Sequence, residues 1–266
     1  MPTLEEKLKA LQETLQSYGK VAVAFSAGVD STFLLAVAHE VLRENALAIT
    51  VQSPVVPARE HDEALSFCSQ RGIRHIVFSA DQFSVEGFAA NPPDRCYICK
   101  RSLFESICNK AHSEGFNVVV DGSNNDDLSD YRPGHKALQE LSIQSPLVEC
   151  GFSKQDIRDA SAAMGLSTAT KQSFACLATR IPYGETITPE KLARIDTAEQ
   201  ILLDLGLSVV RVRLNGSEGR IETKPEDFEL VLKNREQIIA GFATCGLDSA
   251  TLDLRGYRTG SMNEGL

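Results

Sequence analysis

The sequence contains no apolar run near the roughly 20 residues that a membrane-spanning helix needs, so no such helix is expected. Its first residues, MPTLEEKLKALQETLQ, read as an amphipathic helix of mixed charge and lack the apolar core of a secretory signal. Positive charge is also scarce: the chain has 27 lysines and arginines but 36 acidic residues, which gives a net charge of −9. Phosphate contacts need a basic surface, so this deficit argues against general nucleic-acid binding. We expect a cytoplasmic protein that has neither a membrane nor a nucleic acid as partner.

The seven cysteines are an odd number without an accompanying export signal, which argues for reduced thiols. Cys96 and Cys99 form a C-x-x-C pair that suits a redox site, half of a metal site, or packing on a buried helix face. No second pair exists, and the cysteines outside this pair and Cys176 have core-like surroundings, so a four-ligand zinc site is disfavoured. A thioredoxin-like pair is disfavoured as well, because we do not expect this pair to open a helix.

Residues 19–42 show a strand, a loop of small residues and a helix in succession. VAVAF is a short continuous apolar run, as in a buried parallel strand, and TFLLAVAHEVL continues as a helix with almost no polar face. Between them, SAGVDS is neither a Walker A loop nor G-x-G-x-x-G. In such an arrangement, free N–H groups at the helix N-terminus can bind an anion. The alternative is an ordinary strand–turn–helix with a Ser or Asp cap.

Further strands follow at the spacing of an α/β fold, over residues 46–53, 74–80 and 116–127. A last short strand is expected after residue 145, followed by a helix that Ser153 caps. Strands alternating with helices predict a Rossmann-like parallel sheet with helices on both faces. Ligands in such sheets bind at the carboxyl ends of the strands.

The turn DGSNNDD, residues 121–127, follows the fourth strand and is therefore expected to share a crevice with the SAGVDS loop. Its carboxylates are suited to hold Mg²⁺ against a pyrophosphate. The alternative is an Asx-rich turn without a ligand. Arg132, in the following DYRPG, is a candidate phosphate contact.

The chain changes character near residue 188, where a helix capped by Thr188 begins with Pro189 at its first position. SVVRVRLNG then alternates strictly and places Arg211 and Arg213 on one strand face. Two arginines so placed make a phosphate clamp, and the alternative is a solvated strand face. We expect a small α+β domain here. The proposed domains are residues 1–172 and residues 173–266, with the Cys176 loop at their junction.

The pattern Ser-x-Gly-x-Asp-Ser resembles the PP-loop of the ATP pyrophosphatases, which cleave ATP to AMP and pyrophosphate while adenylating a substrate. Ala27 departs from the usual pattern, which has glycine there, and alanine resists a positive φ more than glycine does. The resemblance implies that ATP and Mg²⁺ are bound by residues of the loop, of the DGSNNDD turn and of DYRPG. These residues are Ser26, Gly28, Asp30, Ser31, Asp121, Asn124, Asp127 and Arg132.

SAGVDS, DGSNNDD, DYRPG, CLATRIPYGE, VRVR and GYRTGSMNE occur in this order in the LarE family, so the resemblance covers nearly the whole chain. Members are ATP-dependent sulfur transferases that act in the biosynthesis of the nickel-pincer nucleotide cofactor of lactate racemase. The resemblance implies that ATP adenylates a carboxylate of pyridinium-3,5-biscarboxylic acid mononucleotide, after which sulfur displaces AMP and a thiocarboxylate results. It also implies a homo-oligomer.

The family uses two sulfur sources. In some members the cysteine matching Cys176 gives up its own sulfur and becomes dehydroalanine. Other members hold a [4Fe–4S] cluster with three cysteines, and three thiolates leave one iron open. Because this chain has Cys96, Cys99 and Cys176, the resemblance implies the cluster type, with these three as catalytic residues and metal ligands. The substrate residues that it implies are Lys100, Arg180, Glu199, Arg211, Arg213, Asp227 and Arg258.

Other PP-loop proteins remain as alternatives. An amidotransferase-type synthetase would need a glutaminase nucleophile in another domain, and none is visible. A tRNA thiolase has closer chemistry, but the net charge of −9 opposes RNA binding. A non-catalytic adenine-nucleotide sensor would have no use for three cysteines beside the crevice.

Overall fold

The computed structural model describes residues 2–129, 134–172, 175–258 and 260–263. The chain folds as two compact units: unit 1 is Met1–Val85 with Asp94–Phe174, and unit 2 is Glu86–Pro93 with Ala175–Leu266. Arg132, the candidate phosphate contact, lies outside the described residues. In the ranges that are described, no helix is long and apolar enough to cross a membrane.

Unit 1 is built on a parallel sheet, and its described strands lie in the order β3-β2-β1-β4. The strands are β1 (Val21–Ala24), β2 (Ala46–Gln52), β3 (Arg74–Ser79) and β4 (Val118–Val120). The helices are α1 (Leu4–Tyr18), α2 (Val29–Leu42), α3 (Ala58–Arg71), α4 (Arg95–Ser113), α5 (Gly134–Glu140), α6 (Pro146–Glu149) and α7 (Lys154–Ala163). The prediction of an α/β fold with a Rossmann-like parallel sheet is confirmed.

Helices cover both faces of this sheet. Val21 and Val23 of β1 pack in one apolar cluster with α1, α2 and α7, whereas Ala22 packs in a second cluster with α4. Side chains alternate between the faces of a strand, so a strand buried on both faces must be apolar throughout. This explains why VAVAF appears in the sequence as a continuous apolar run.

The predicted short strand after residue 145 is wrong. Residues 146–149 form helix α6, because Pro146 has the backbone angle of a first helical residue. The cap that was predicted for the following helix is confirmed: the Ser153 Oγ accepts from the Asp156 N–H at 3.2 Å, and the Asp156 carboxylate accepts from the Ser153 N–H at 2.8 Å.

The C-x-x-C pair does open a helix, contrary to the expectation. Helix α4 begins at Arg95, so Cys96 and Cys99 lie in its first turns. The helix forms because Phe104, Ile107 and Ala111 recur at helical spacing and are buried against the sheet. The helix position therefore gives no reason to set the redox role aside.

Unit 2 contains a three-stranded sheet among its described residues, in the order β5-β6-β7, with β5 and β6 antiparallel and β6 and β7 parallel. The strands are β5 (Val210–Asn215), β6 (Glu218–Thr223) and β7 (Ser249–Leu252), and the helices are α8 (Pro189–Asp204), α9 (Phe228–Lys233) and α10 (Arg235–Thr244). The predicted cap of α8 is confirmed, since the Thr188 Oγ1 accepts from the Lys191 N–H at 3.2 Å. This arrangement is the expected small α+β fold.

The segment Glu86–Pro93 belongs to unit 2 although unit 1 flanks it on both sides in sequence. The carbonyl of Ala89 accepts from the N–H of Ile187 and that of Asn91 accepts from the N–H of Gly184, both at 2.9 Å. The buried Asn91 amide donates to the carbonyls of Ile181 and Pro182 at 3.2 and 2.7 Å. These bonds fix the chain that follows the Cys176 loop.

Candidate functional site

The PP-loop, residues 26–31, follows the carboxyl end of β1, and the DGSNNDD turn follows β4, which is the neighbour of β1. On the other side of β1 lies β2, so the strand order reverses at this point, where α/β sheets commonly bind ligands. A Cβ atom added to Gly122 would lie 2.9 Å from the backbone nitrogen of Ser31. The structure thus brings the two segments together, and glycine at position 122 permits the close approach.

The PP-loop is shaped by an alanine in a left-handed conformation, with φ of 56° at Ala27. The Oγ atoms of Ser26 and Ser31 lie 3.2 Å apart across the loop. Helix α2 begins after Gly28, and no side chain of the described residues caps it. Its first N–H groups are therefore available to an anion, which favours the phosphate-binding interpretation over an ordinary capped turn.

Asp30, in the first turn of α2, is paired with a lysine that sequence reasoning missed. The Lys154 Nζ lies 2.5 Å from the Asp30 Oδ2, and the Asn124 amide donates to the Asp30 Oδ1 at 3.4 Å. Burial raises the pKa of Asp30 above its usual value, and the charge of Lys154 opposes that rise. The pair places one cation and one carboxylate at the mouth of the PP-loop.

The other predicted carboxylates of this crevice already have protein partners. Asp121 accepts from the hydroxyls of Ser123 at 2.5 Å and Ser145 at 2.6 Å, and Asp127 accepts from the N–H of Asn124 at 3.1 Å. Over the part of the chain that the structure describes, no group of three or more His, Cys, Asp or Glu side chains is arranged to hold a metal ion.

A second lysine that was not predicted contacts the PP-loop from the end of unit 1. The Lys171 Nζ donates to the Ala27 carbonyl at 3.2 Å and pairs with Glu60 at 2.7 Å and Glu63 at 2.5 Å. Lys171 and Glu60 are 111 positions apart, so no local pattern could have indicated the contact. Lys171 anchors the carbonyl of the strained loop residue.

Cys96 and Cys99 are partly exposed and lie one helical turn apart, on the same face of α4. Burial raises the pKa of four other thiols, which disfavours the thiolate that ligates iron: Cys68, to about 12, and Cys108, Cys150 and Cys245. Two accessible thiols on one face suit two ligands of a [4Fe–4S] cluster. Lys100 follows the pair, with its Nζ 5.8 Å from the centre of the Phe104 ring.

Cys176, also partly exposed, belongs to unit 2 and precedes a 3₁₀ turn, Leu177–Arg180. Arg180 is 1% exposed and donates to the carbonyls of Ala175 at 2.7 Å and Cys176 at 3.1 Å. Its other donors meet both oxygens of Glu199, at 2.8 and 3.1 Å. Glu199 also accepts from the N–H of Val212 at 3.0 Å, so the buried pair fastens the Cys176 loop to strand β5. The convergence of Cys176 with the α4 cysteines stays a prediction.

The two arginines of β5 are not on a solvated face. Arg211 is 6% exposed and its guanidinium lies 5.1 Å from the centre of the Tyr257 ring. Burial, followed by the nearby charge of Arg180, lowers the pKa of Arg211 to about 10, so it stays charged at neutral pH. Arg213 donates to Glu222, through Nε, at 3.0 Å to each oxygen.

The remaining predicted substrate residues also lie in unit 2. Asp227 ends a 3₁₀ turn and accepts from the Thr223 hydroxyl at 3.4 Å, and Arg258 is half-buried beyond β7. A cavity of about 350 Å³ is lined by Thr179, Arg180, Arg213 and Ser261, among others. Its volume is in the range of small-ligand sites.

Known proteins are similar to this chain over most of its length. No protein-family model matches the chain. An uncharacterized protein of Synechocystis is 39% identical over 262 residues, which cover 98% of each chain. A protein of Lactiplantibacillus plantarum, named pyridinium-3,5-bisthiocarboxylic acid mononucleotide synthase, is 34% identical over 267 residues, 100% of this chain and 97% of the relative. An uncharacterized protein of Methanocaldococcus jannaschii is 28% identical over 240 residues, 90% of this chain and 91% of that protein.

The similarity to the synthase extends through both units. It therefore includes the PP-loop, the Cys176 loop and the arginine-bearing strand β5. Identity of 34% along the full length of both proteins is a family relationship. The chain belongs to the LarE family of sulfur-transferring enzymes.

Proposed function

We propose that this chain is an ATP-dependent sulfur transferase that converts a carboxylate of pyridinium-3,5-biscarboxylic acid mononucleotide to a thiocarboxylate, for nickel-pincer nucleotide biosynthesis. The observation that carries the proposal is the full-length similarity to a pyridinium-3,5-bisthiocarboxylic acid mononucleotide synthase. The residues of each unit have roles that fit this reaction. The proposed setting is the cytoplasm, and the proposed state is a homo-oligomer.

The PP-loop unit would bind ATP. The uncapped N–H groups of α2 and the hydroxyls of Ser26 and Ser31, whose Oγ atoms lie 3.2 Å apart, would contact its phosphates. Lys154, beside Asp30, adds a cation. Mg²⁺ usually binds through one or two carboxylates together with substrate phosphates, so Asp30 or Asp127 would complete its shell when ATP is bound.

The reaction needs adenylation because a carboxylate is a poor electrophile. A carboxylate oxygen attacks the α-phosphorus of ATP, the bond to the bridging oxygen breaks, and pyrophosphate leaves. A sulfur nucleophile then attacks the acyl carbon of the adenylate, the bond to the AMP oxygen breaks, and AMP leaves with the electron pair. Phosphate-binding N–H groups and Lys154 would stabilise the negative charge that develops on the departing pyrophosphate.

Unit 2 would orient the substrate and Cys176. The buried Arg180–Glu199 pair holds the backbone of the Cys176 loop, and the pocket beside it carries the arginine charge that a mononucleotide phosphate requires. Lys100, Arg211, Asp227 and Arg258 are proposed to contribute to the same substrate. Since Arg180 and Glu199 are fully buried and bonded to each other, their proposed role is to fix the loop.

The proposed ligands of a [4Fe–4S] cluster are Cys96, Cys99 and Cys176. Thiolates are the normal ligands of such clusters, and these three cysteines are partly exposed. Cys68 is buried, and burial raises the thiol pKa of the likewise partly exposed Cys108, Cys150 and Cys245. When bound, the cluster would supply a labile sulfide for transfer. Helix α4 would orient two ligands in one direction, and the Arg180 contacts would hold the third.

The first test is turnover by the purified protein. We expect pyrophosphate release from ATP only when the dicarboxylate mononucleotide is present, and a thiocarboxylate product by mass spectrometry. Release that depends on tRNA, or ATP binding without any release, would replace the proposal with a tRNA thiolase or a nucleotide sensor. Asp30→Asn should lower pyrophosphate release, while Asp62→Asn, at an exposed position of α3, serves as the control.

The second test is for iron. Anaerobic reconstitution of wild type should give bound iron and sulfide that Cys96→Ser, Cys99→Ser and Cys176→Ser each lose. Cys108→Ser, on the same helix as the pair, is the matched control and should retain the iron. Absence of iron from wild type, with dehydroalanine at Cys176 after one turnover, would identify the sacrificial route. A disulfide between Cys96 and Cys99 that cycles during turnover would favour the redox pair.

A further inference from the structure

One face of the unit 2 sheet is polar along the pairing of β5 with β6. Residues directly opposite each other in an antiparallel pair point to the same side of the sheet. On this face the opposed pairs are Arg211 with Glu222, Arg213 with Arg220, and Asn215 with Glu218. The cavity of about 350 Å³ is lined by Arg213, Asn215, Glu218 and Arg220. The cavity therefore opens onto a strand surface that carries two opposed arginines.

Each of the three guanidinium nitrogens of Arg213 already donates to a protein acceptor. Its Nε contacts both oxygens of Glu222 at 3.0 Å, its Nη1 donates to the carbonyl of Thr179 at 2.5 Å, and its Nη2 donates to the Ser261 Oγ at 2.8 Å. The Arg213 side chain is 14% exposed. These contacts hold it in place against the cavity wall.

Arg220 is more exposed than Arg213 and is bonded less closely to its acidic neighbours. Its side chain is 49% exposed, and its acidic neighbours are distant for charge-assisted bonds: Glu222 at 3.5 Å and Asp253 at 3.7 Å. Charge-assisted hydrogen bonds of nitrogen donors are usually about 2.7–2.9 Å long. The guanidinium of Arg220 can therefore take a new bidentate partner at the cavity without first breaking a strong bond.

Arg213 and Arg220 stand directly opposite each other in the β5–β6 pair. Like charges directly opposite each other destabilise a sheet. Glu222, which is 3% exposed, is shared between them, and Arg220 has Asp253 as a second partner at 3.7 Å. An anion bound between the two arginines would offset their mutual repulsion, and a phosphate matches the fork of an arginine.

We propose that Arg220 is a specificity-determining residue, which binds the phosphate of the mononucleotide substrate in the cavity beside Arg213. This inference rests on the proposed function, because the phosphate is that of the proposed substrate. Arg220 lies outside the motifs that carry the family resemblance, so it is not among the substrate residues that the resemblance implies. The chemistry recognised is a phosphate monoester.

The test compares Arg220→Gln with Arg235→Gln, a control that removes an arginine with a 66% exposed side chain from the same unit. We expect Arg220→Gln to raise the KM for the intact substrate by roughly tenfold or more, which corresponds to about 1.4 kcal/mol per tenfold change. We expect kcat to change by less than about twofold, since uniform binding is lost. Arg220→Lys should fall between the two, because it keeps the charge and loses the bidentate fork.

A substrate without its phosphate separates phosphate recognition from carboxylate recognition. With this nucleoside, wild type and Arg220→Gln should have the same kcat/KM. A defect that persists with the nucleoside, or a KM for Arg220→Gln equal to that of Arg235→Gln, would overturn the proposal.

Calorimetry with inorganic phosphate tests the role of Arg220 separately from the proposed function, because it does not require turnover. If wild type fails to turn over the substrate, the proposed function fails, and the phosphate titration still decides the role of Arg220. Weaker phosphate binding by Arg220→Gln than by Arg235→Gln supports the site. Equal binding by the two variants contradicts it.

Discussion

The Arg180–Glu199 pair illustrates how single residues fix this site. Both side chains are 0% exposed, and each satisfies backbone groups besides its partner. Removing one partner of a buried ion pair leaves an uncompensated charge, and that cost is usually larger than the net contribution of the pair. The loop that carries Cys176 should therefore depend on this pair for its shape.

We predict that Arg180→Met lowers the free energy of unfolding by about 3–5 kcal/mol, because Glu199 is left buried and unpaired. Urea denaturation at pH 7 measures this loss. The control is Arg235→Gln, which breaks a surface pair with side-chain exposures of 66% and 87% and should cost under about 0.5 kcal/mol. Similar losses in the two variants would show that the buried pair has no special role.

Ala27 gives a second prediction at this scale. A left-handed conformation costs a non-glycine residue about 1–2 kcal/mol, and glycine would remove this cost. Glycine also makes the unfolded chain more flexible, which lowers the free energy of unfolding by about 0.4–1 kcal/mol. We expect Ala27→Gly to leave stability unchanged or to raise it by up to about 1 kcal/mol. Ala10→Gly, inside helix α1, should instead cost about 1 kcal/mol. Thermal unfolding of both variants checks the contrast, and a clear loss in Ala27→Gly would contradict it.

Elements are held to one another by contacts that sequence patterns do not reveal. Lys7 of α1 reaches Asp156 of α7 at 2.7 Å, and the two positions are 149 residues apart. Burial works to raise the pKa of Asp156, but the hydrogen bonds from Lys7 and Ser153 outweigh it and lower the pKa to about 2. Asp156 therefore stabilises both the helix cap and the contact between the two helices.

A double-mutant cycle with Lys7→Met and Asp156→Asn should give a coupling energy of about 1 kcal/mol at pH 7. Because folding lowers this pKa from 3.8 to about 2, the stabilisation is complete above about pH 4 and is lost as the pH falls toward 2. Urea denaturation from pH 7 down to pH 3 measures it. A coupling energy that stays constant over this range would contradict the assignment.

Much of the element pattern could be predicted from the sequence. Strands β1, β2 and β3 were predicted because their apolar runs are rich in β-branched residues, which favour strands, and the caps at Ser153 and Thr188 were predicted because capping is local. The strand expected after residue 145 was wrong because a short apolar run gives no periodicity to distinguish strand from helix, and Pro146 decided the outcome. Lys154, Lys171 and Arg220 were missed because their partners are set by the fold.

At the scale of the whole molecule, unit 2 depends on a segment that the chain supplies early. Asn91 is fully buried, has φ of 55°, and bonds two carbonyls of the chain after the Cys176 loop. The proposed boundary between residues 172 and 173 did not anticipate this segment, because its partners lie about 90 positions further on.

We predict that Asn91→Ala destabilises unit 2 by about 2–3 kcal/mol, because it loses buried hydrogen bonds and places alanine in a left-handed conformation. Hydrogen exchange should show reduced protection of the Gly184 and Ile187 amides. Asn91→Gly separates the causes, since it keeps the conformation and loses only the amide, and it should be less damaging. Unchanged exchange at both amides in Asn91→Ala would contradict the role given to the segment.

The interrupted order of unit 2 also constrains how the protein is made. Ribosomes add about 5–20 residues per second, and N-terminal parts fold first. Residues 86–93 leave the ribosome several seconds before Ile181, Pro182, Gly184 and Ile187, the residues that they bond. The remainder of unit 1 is therefore synthesised before Asn91 can bond to Ile181 and Pro182. The Cys176 loop is consequently among the last parts of the enzyme to become ordered during synthesis.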